Sequence, residues 1–231
     1  MRIHLVPMNR IRTAAPAEDG RGSRPWSVAV ALMLVALLAG GFGLTLTQHG
    51  ATPPADGLRH VLWPEPRPIP RFALSDHTGA AFDRSRLLGR WTFLFFGYTS
   101  CPDVCPTTLA VLADIARSRG SLDVPAQDVF VSVDPERDGA QRLGAYVRYF
   151  REDFIGVHGF DGALKPLLEA LNVMVVREPS AGGAGLISHT SAIMLVDPQA
   201  RVVAAFSPPH DAGVIVRQFA EIRQYLKEND S

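Results

Sequence analysis

The fold is decided by the stretch Trp91-Thr92-Phe93-Leu94-Phe95-Phe96-Gly97-Tyr98-Thr99-Ser100-Cys101-Pro102-Asp103-Val104-Cys105-Pro106-Thr107-Thr108-Leu109. Its first six residues form an apolar run, which is typical of a central strand that is covered on both faces. The segment after it has helical periodicity, with its apolar side chains on one stripe: Leu109, Leu112, Ala113 and Ala116. The stretch therefore predicts a buried strand that ends in a pair of thiols at the start of a helix.

The chemistry of this stretch depends on its thiols, because Cys101 and Cys105 are the only 2 cysteines of 231 residues. Two thiolates one helical turn apart can converge on one soft metal ion or join in a disulfide. A purely stabilising disulfide is the weaker explanation, since so short a loop constrains the unfolded chain little. The charge of the helix N-terminus is expected to favour a Cys105 thiolate.

The rest of the chain alternates strand and helix patterns, which predicts an α/β domain. Val129–Val133 is expected to be a second buried strand, and Ala192–Val196 and Val202–Phe206 a hairpin. Three further helices are predicted from apolar faces with 3.6-residue spacing, at residues 143–150, 164–171 and 215–226. Strand–helix alternation that ends in a hairpin and a helix fits a thioredoxin-like core.

The cysteine stretch resembles the Sco/SenC family of copper-handling, thioredoxin-like proteins, whose pattern is close to FGYTxCPDVCPTTL. Val131-Ser132-Val133-Asp134-Pro135-Glu136-Arg137-Asp138 is similar to the family's DPxRD segment, and Ser188-His189-Thr190-Ser191 falls where the family places its metal-binding histidine. The similarity covers roughly residues 65 to 228. It implies a thioredoxin-like fold and one copper ion per chain.

The resemblance implies a copper site made of Cys101, Cys105 and His189. Cu(I) prefers thiolates, and an imidazole can complete a three-coordinate site. Among the 7 histidines, His189 follows a glycine-rich loop and precedes a core strand, and His158 and His210 are the next candidates. Zinc is the alternative metal, although structural zinc normally takes four protein ligands.

Two acidic positions of the family pattern bear on this site. Asp134 is, by resemblance, an accessory carboxylate near the metal; the alternative is a turn or N-cap residue before Pro135. Ser188 stands where the family usually has Asp before the histidine. Serine offers the imidazole a weaker hydrogen bond than a carboxylate, so this departure bears on metal affinity.

The function implied by the resemblance is that of a copper chaperone. Its client would be the binuclear copper site in subunit II of a haem-copper respiratory oxidase, cytochrome c oxidase. The alternative is a thiol-disulfide oxidoreductase that reduces client cysteines through a Cys101–Cys105 disulfide. A peroxiredoxin is disfavoured because its pattern needs proline and threonine where Leu94 and Tyr98 stand, and a thioredoxin-type reductase would prefer C-x-x-C.

An N-terminal transmembrane helix is expected at residues 26–47, which contain no charged side chain. These 22 residues would span about 33 Å as a helix. Arginines precede the run, so the positive-inside rule places residues 1–25 in the cytoplasm and the C-terminal domain in the periplasm, with the anchor in the inner membrane. A cleaved signal peptide is the competing interpretation, but no A-x-A site follows the run.

A proline-rich tether is expected at residues 48–70, followed by the thioredoxin-like domain at residues 71–231. The six prolines between Pro53 and Pro70 favour extended polyproline geometry. The formal net charge is zero, and no basic tract follows the N-terminal segment, which argues against nucleic acid as a partner.

Overall fold

The computed structural model describes residues 29–35, 56–177 and 187–229, which belong to two compact units, Met1–Ala51 and Thr52–Ser231. In the first unit, residues 29–35 form helix α1. The strands and helices of the second unit are β1 (Leu62–Pro68), β2 (Ala73–Asp76), β3 (Ala81–Asp83), β4 (Trp91–Gly97), α2 (Val104–Arg119), β5 (Ala126–Ser132), α3 (Ala140–Phe150), β6 (Ile155–His158), α4 (Asp161–Ala170), β7 (Val175–Arg177), β8 (Ile187–His189), β9 (Ile193–Val196), β10 (Arg201–Phe206) and α5 (Ala212–Asn229).

The expected membrane anchor at residues 26–47 lies outside the described residues except for α1, whose side chains are exposed. Within the described ranges, the structure contains no helix with the length and hydropathy needed to cross a bilayer. The expected cytoplasmic segment, residues 1–25, also lies outside the described residues. Anchor and orientation remain predictions.

The central sheet has β4 near its middle, as the apolar run predicts. Among the described residues, eight strands form this sheet in the order β1-β10-β9-β4-β5-β6-β2-β3. All seven residues of β4 are buried, and β4 pairs with β5 in parallel and with β9 antiparallel. Phe219 of α5 packs edge-on against Trp91 and Phe93, with ring centroids 5.2 and 5.1 Å apart. The α/β core is therefore confirmed.

One edge of this sheet collects the segments that carry chemistry. Strands β4, β5 and β6 are parallel, so their carboxyl ends meet there. The cysteine stretch follows β4, and the DPxRD segment follows β5. The hairpin of β7 and β8 precedes β9, which is antiparallel to β4 and therefore begins at this edge. The topology brings together segments that are far apart in the sequence.

The prediction of a tether at residues 48–70 is wrong for Leu62–Pro68, which form a strand. Strand β1, Leu62–Pro68, pairs antiparallel with β10, and Leu58 and Ile69 on either side of it are buried in the core. Prolines at alternate positions are compatible with an edge strand, because the N–H groups that they lack can fall on the side of the strand that has no neighbouring strand. The folded domain thus begins before residue 71, and residues 48–55 of the expected tether lie outside the described residues.

Candidate metal centre

The two cysteines lie at the start of α2, both as free thiols. Cys101 belongs to the loop after β4, and its backbone N–H donates to the Tyr98 carbonyl at 3.2 Å. Cys105 is in the first turn of α2 and is fully buried. Its N–H donates to the Cys101 sulfur at 3.4 Å. The expected juxtaposition of the two thiols at a helix start is therefore observed.

Gly97, the last residue of β4, makes room for the Cys105 side chain. A Cβ atom at this position would lie 2.8 Å from the Cys105 sulfur and 2.7 Å from the ring of Phe130. Both distances are shorter than a real Cβ contact, so the sulfur and the ring occupy the space that a side chain would fill. The sequence shows this glycine between strand and cysteines, but not what lies against it.

Gly97→Ala is expected to displace the Cys105 thiol and so to weaken metal binding by at least about tenfold, as misplacing a supported ligand does. Overpacking should also destabilise the domain by about 1–3 kcal/mol. Competition with a Cu(I) chelator and urea unfolding measure the two effects. Gly120→Ala is the matched control, since a Cβ there meets open space. Wild-type copper affinity in Gly97→Ala would show that the close approach is unimportant.

His189 lies on β8 and reaches the cysteine pair from across the sheet edge. Its Nε2 atom is 3.5 Å from the Cys105 sulfur. Its Nδ1 atom is 3.1 Å from the Thr190 carbonyl oxygen, which can only accept, so Nδ1 carries the proton and Nε2 presents its lone pair to the sulfur. The rings of Phe95 and Tyr98 flank the imidazole edge-on at 6.0 and 6.1 Å.

These contacts also show what orients the imidazole. The sequence suggested that residue 188 would do so, and that Ser188 would do it poorly. The observed acceptor is the backbone carbonyl of Thr190. The hairpin fixes this group, because Thr190 N–H donates to the Met174 carbonyl and Met174 N–H donates to the Thr190 hydroxyl, both at 3.1 Å. The orienting hydrogen bond therefore does not depend on an acidic neighbour.

Burial shifts the pKa of both His189 and Cys105 in the metal-free protein. It lowers the pKa of His189, which favours the neutral imidazole that can bind a metal. It raises the pKa of the Cys105 thiol well above its ordinary value, and the neighbouring Cys101 sulfur adds to this effect. The expectation that the helix terminus favours a Cys105 thiolate is wrong here, because desolvation outweighs it. A bound metal must displace the Cys105 proton.

The distance between Cys105 and His189 fits a shared metal ion. With bonds of about 2.3 Å to sulfur and about 2.1 Å to nitrogen, as for zinc, two donors 3.5 Å apart subtend an angle of about 105° at the ion. Among the described residues, however, no three histidine, cysteine or carboxylate side chains already enclose a metal position. For Cys101 to join Cys105 and His189 around one ion, its sulfur would have to turn away from the Cys105 N–H.

Access to this site is through Cys101 and His189. They line an open surface pocket with a volume of about 310 Å³, together with Tyr98, Val104 and Ser188. Cys105 itself is fully buried, so an incoming ion meets Cys101 first.

The other two histidine candidates have different surroundings. His210 is hydrogen-bonded through Nε2 to the carbonyl of Phe206 at 3.0 Å, within its own chain segment. His158 is on β6, opposite Ser75 of β2. Of these three histidines, all within the described part of the chain, His189 is the one in contact with Cys105.

Asp134 is a turn residue, and its carboxylate forms an ion pair with Arg137. Its carbonyl oxygen accepts the N–H groups of Arg137 and Asp138 at 3.2 and 3.0 Å. The Arg137 guanidinium lies 5.7 Å from the Tyr98 ring centroid. The structure favours the alternative of a turn residue over an accessory carboxylate near the metal, since the carboxylate of Asp134 pairs with Arg137.

Asp138 is a supporting residue that the sequence reasoning did not single out, although it ends the quoted DPxRD segment. Its carboxylate is completely buried. It accepts hydrogen bonds from the Thr99 N–H at 2.9 Å, the Thr99 hydroxyl at 2.5 Å and the Ser132 hydroxyl at 2.6 Å. Asp138 thereby joins the loop that carries Cys101 to the end of β5.

A buried thiol in contact with an imidazole, at the edge of an α/β sheet, is typical of proteins that bind soft metals or carry out thiol chemistry. The family model described as SCO1/SenC matches residues 64–225. The chain therefore belongs to the SCO1/SenC family, as the cysteine stretch predicted.

Individual relatives agree with this assignment. The mitochondrial SCO1 homolog 1 of Arabidopsis thaliana is 33% identical over 158 residues, which cover 68% of this chain and 47% of that protein. The copper-bound crystal structure of Arabidopsis thaliana ScoI is similar with a TM-score of 0.63 and 32% identity, over 68% of this chain and 98% of that one. Copper-bound Bradyrhizobium japonicum ScoI has a TM-score of 0.60 and 31% identity, over 69% and 99%. These structures confirm the thioredoxin-like Sco fold.

Proposed function

We propose that this protein is a copper chaperone that binds one copper ion through Cys101, Cys105 and His189. The contact of 3.5 Å between the Cys105 sulfur and His189 Nε2 carries the proposal, because it joins a soft donor and an imidazole donor from segments 84 residues apart. The free state of both thiols and the copper in the two solved relatives support it.

The proposed client is the binuclear copper site in subunit II of cytochrome c oxidase, as the family resemblance implies. Copper would pass by exchange of ligands between this site and cysteines of the client. The open pocket beside Cys101 supports such an exchange, since a client sulfur can approach the ion from there. We also propose that residues 26–47 anchor the protein in the inner membrane, with the N-terminus in the cytoplasm and the copper-binding domain in the periplasm.

The alternative function is thiol-disulfide exchange with a client, which would use the sulfurs of the same two cysteines, Cys101 and Cys105. The copper-bound relatives favour metal binding over this alternative.

His189→Ala tests the proposed ligand set. It should lower Cu(I) affinity by at least about tenfold, and Cu(II) affinity further, because Cu(II) depends more on nitrogen donors. Competition with chelators for each oxidation state measures both values. His210→Ala is the matched control, since its imidazole bonds to the Phe206 carbonyl. Wild-type affinity in His189→Ala with a loss in His210→Ala would assign the third ligand to His210.

A further inference from the structure

Arg142 lies on the surface of α3, yet its guanidinium reaches the loop that carries Cys101. Its Nε–H donates to the Thr99 hydroxyl at 2.7 Å, and an Nη2–H donates to the Ser100 hydroxyl at 3.0 Å. These are the two residues immediately before Cys101. The fork of one guanidinium therefore holds consecutive residues of the loop.

The Thr99 hydroxyl has a partner on its other side as well. It accepts from Arg142 and donates to the buried carboxylate of Asp138 at 2.5 Å. Asp138 also accepts the Thr99 N–H and the Ser132 hydroxyl, so the chain of hydrogen bonds runs from the surface of α3 to the end of β5. A fully satisfied network of this kind restricts the groups that it joins.

Among the described residues, Arg142 forms no salt bridge with a carboxylate. Its Nε–H and an Nη2–H donate to the hydroxyls of Thr99 and Ser100 instead. An exposed arginine side chain loses conformational entropy when it is held in place. Because the two contacts with Thr99 and Ser100 hold the guanidinium, and no carboxylate among the described residues does, the position of the Arg142 side chain depends on the geometry of the loop.

The loop geometry matters because Cys101 is the ligand that must move. Cys105 and His189 are already in contact, whereas the Cys101 sulfur accepts the Cys105 N–H instead. A loop fixed at Thr99 and Ser100 limits this movement to the Cys101 side chain. Preorganisation of this kind lowers the entropy that binding costs.

We propose that Arg142 is a positioning residue: through Thr99 and Ser100 it clamps the Cys101 loop in the geometry that receives copper. The identity of the metal in this inference rests on the proposed function. The contacts of Arg142 with Thr99 and Ser100 do not depend on it. The clamp predicts that Cys101 is held in the reduced, metal-free protein too.

Arg142→Ala in the reduced full chain is expected to lower Cu(I) affinity about tenfold in competition with a chelator, the lower end of the effect of losing an outer partner of a metal ligand. It should also raise the rate at which iodoacetamide alkylates Cys101 severalfold, as followed by mass spectrometry without copper. Arg148→Ala is the matched control, because Arg148 is exposed on the same helix and makes neither loop contact.

Two further variants separate positioning from general damage. Arg142→Lys retains one donor for one hydroxyl, so its affinity should lie between the wild type and Arg142→Ala. Thr99→Val removes the shared hydroxyl, so combining it with Arg142→Ala should cost less than the product of the two single fold-losses. Fully multiplicative losses would contradict a shared clamp.

The two readouts have different meanings. If the wild type failed to bind Cu(I), the proposed function would fail, and Cys101 alkylation would still decide on the clamp. If Cys101 were alkylated equally fast in Arg142→Ala and Arg148→Ala, the clamp would be overturned whatever the copper affinity of the two variants.

Discussion

Cys105→Ser is expected to abolish tight Cu(I) binding, the largest functional effect of any single replacement. The variant removes a buried soft donor in contact with His189 and leaves a hydroxyl, which Cu(I) binds poorly. Cys101→Ser should have a similar effect, because the chain contains only 2 cysteines. Competition with a Cu(I) chelator under reducing conditions measures the loss.

Serine is nearly isosteric with cysteine, so both variants should keep the fold, and circular dichroism checks this. Ser191→Ala is a suitable control beside the site, since its hydroxyl donates only a long hydrogen bond, 3.4 Å, to the His189 carbonyl. Either cysteine variant binding one Cu(I) with wild-type affinity would refute the site. Wild-type protein that bound copper only with Cys101 and Cys105 oxidised would refute it equally, because a disulfide offers no thiolate.

Arg119→Met is expected to cause the largest loss of stability, about 3–5 kcal/mol in the free energy of unfolding. Arg119 and Asp128 form a bidentate ion pair at 2.7 and 2.5 Å, with side chains only 9% and 3% exposed. The guanidinium also lies 4.9 Å from the ring centroid of Phe93. Removing the arginine leaves a buried carboxylate without its cation, which urea unfolding will detect.

The same helix provides the control. Arg117 pairs with Asp114 on the surface, with side chains 65% and 51% exposed, so Arg117→Met should cost at most about 1 kcal/mol. Replacing both members of the buried pair, with Arg119→Met and Asp128→Leu, should cost less than Arg119→Met alone. Equal losses for the two single variants would contradict the importance of burial. Copper affinity should not change, since Asp128 lies toward the other end of β5 from the site.

Local patterns determined the elements from which this protein is built. The apolar run Trp91–Phe96 predicted a covered strand, and the periodic faces of α3, α4 and α5 predicted helices. The hairpin of β9 and β10 also followed from apolar runs around a turn. Such patterns suffice because each depends on residues within one or two turns of each other. The spacing of Cys101 and Cys105 likewise fixed the two sulfurs at one helix start.

Strand pairing with β10 determined that the proline-rich segment Leu62–Pro68 forms a strand. Alternate prolines are as compatible with a polyproline tether as with an edge strand, since both are extended and neither requires every N–H group. The choice depends on whether a partner edge is available, and β10 provides one for β1. That partner lies more than 130 residues further along the chain, so no local pattern of Leu62–Pro68 reveals it.

By itself, the sequence determined the kind of site: two thiols at a helix start and a histidine before a core strand. Tertiary structure decided that His189 contacts Cys105, that Thr190 orients it, and that Asp134 turns to Arg137 instead. It also decided that burial, and not the nearby helix terminus, dominates the pKa of the Cys105 thiol and raises it. Contacts, burial and desolvation depend on groups that meet only when the sheet assembles, so they are absent from any local stretch of the chain.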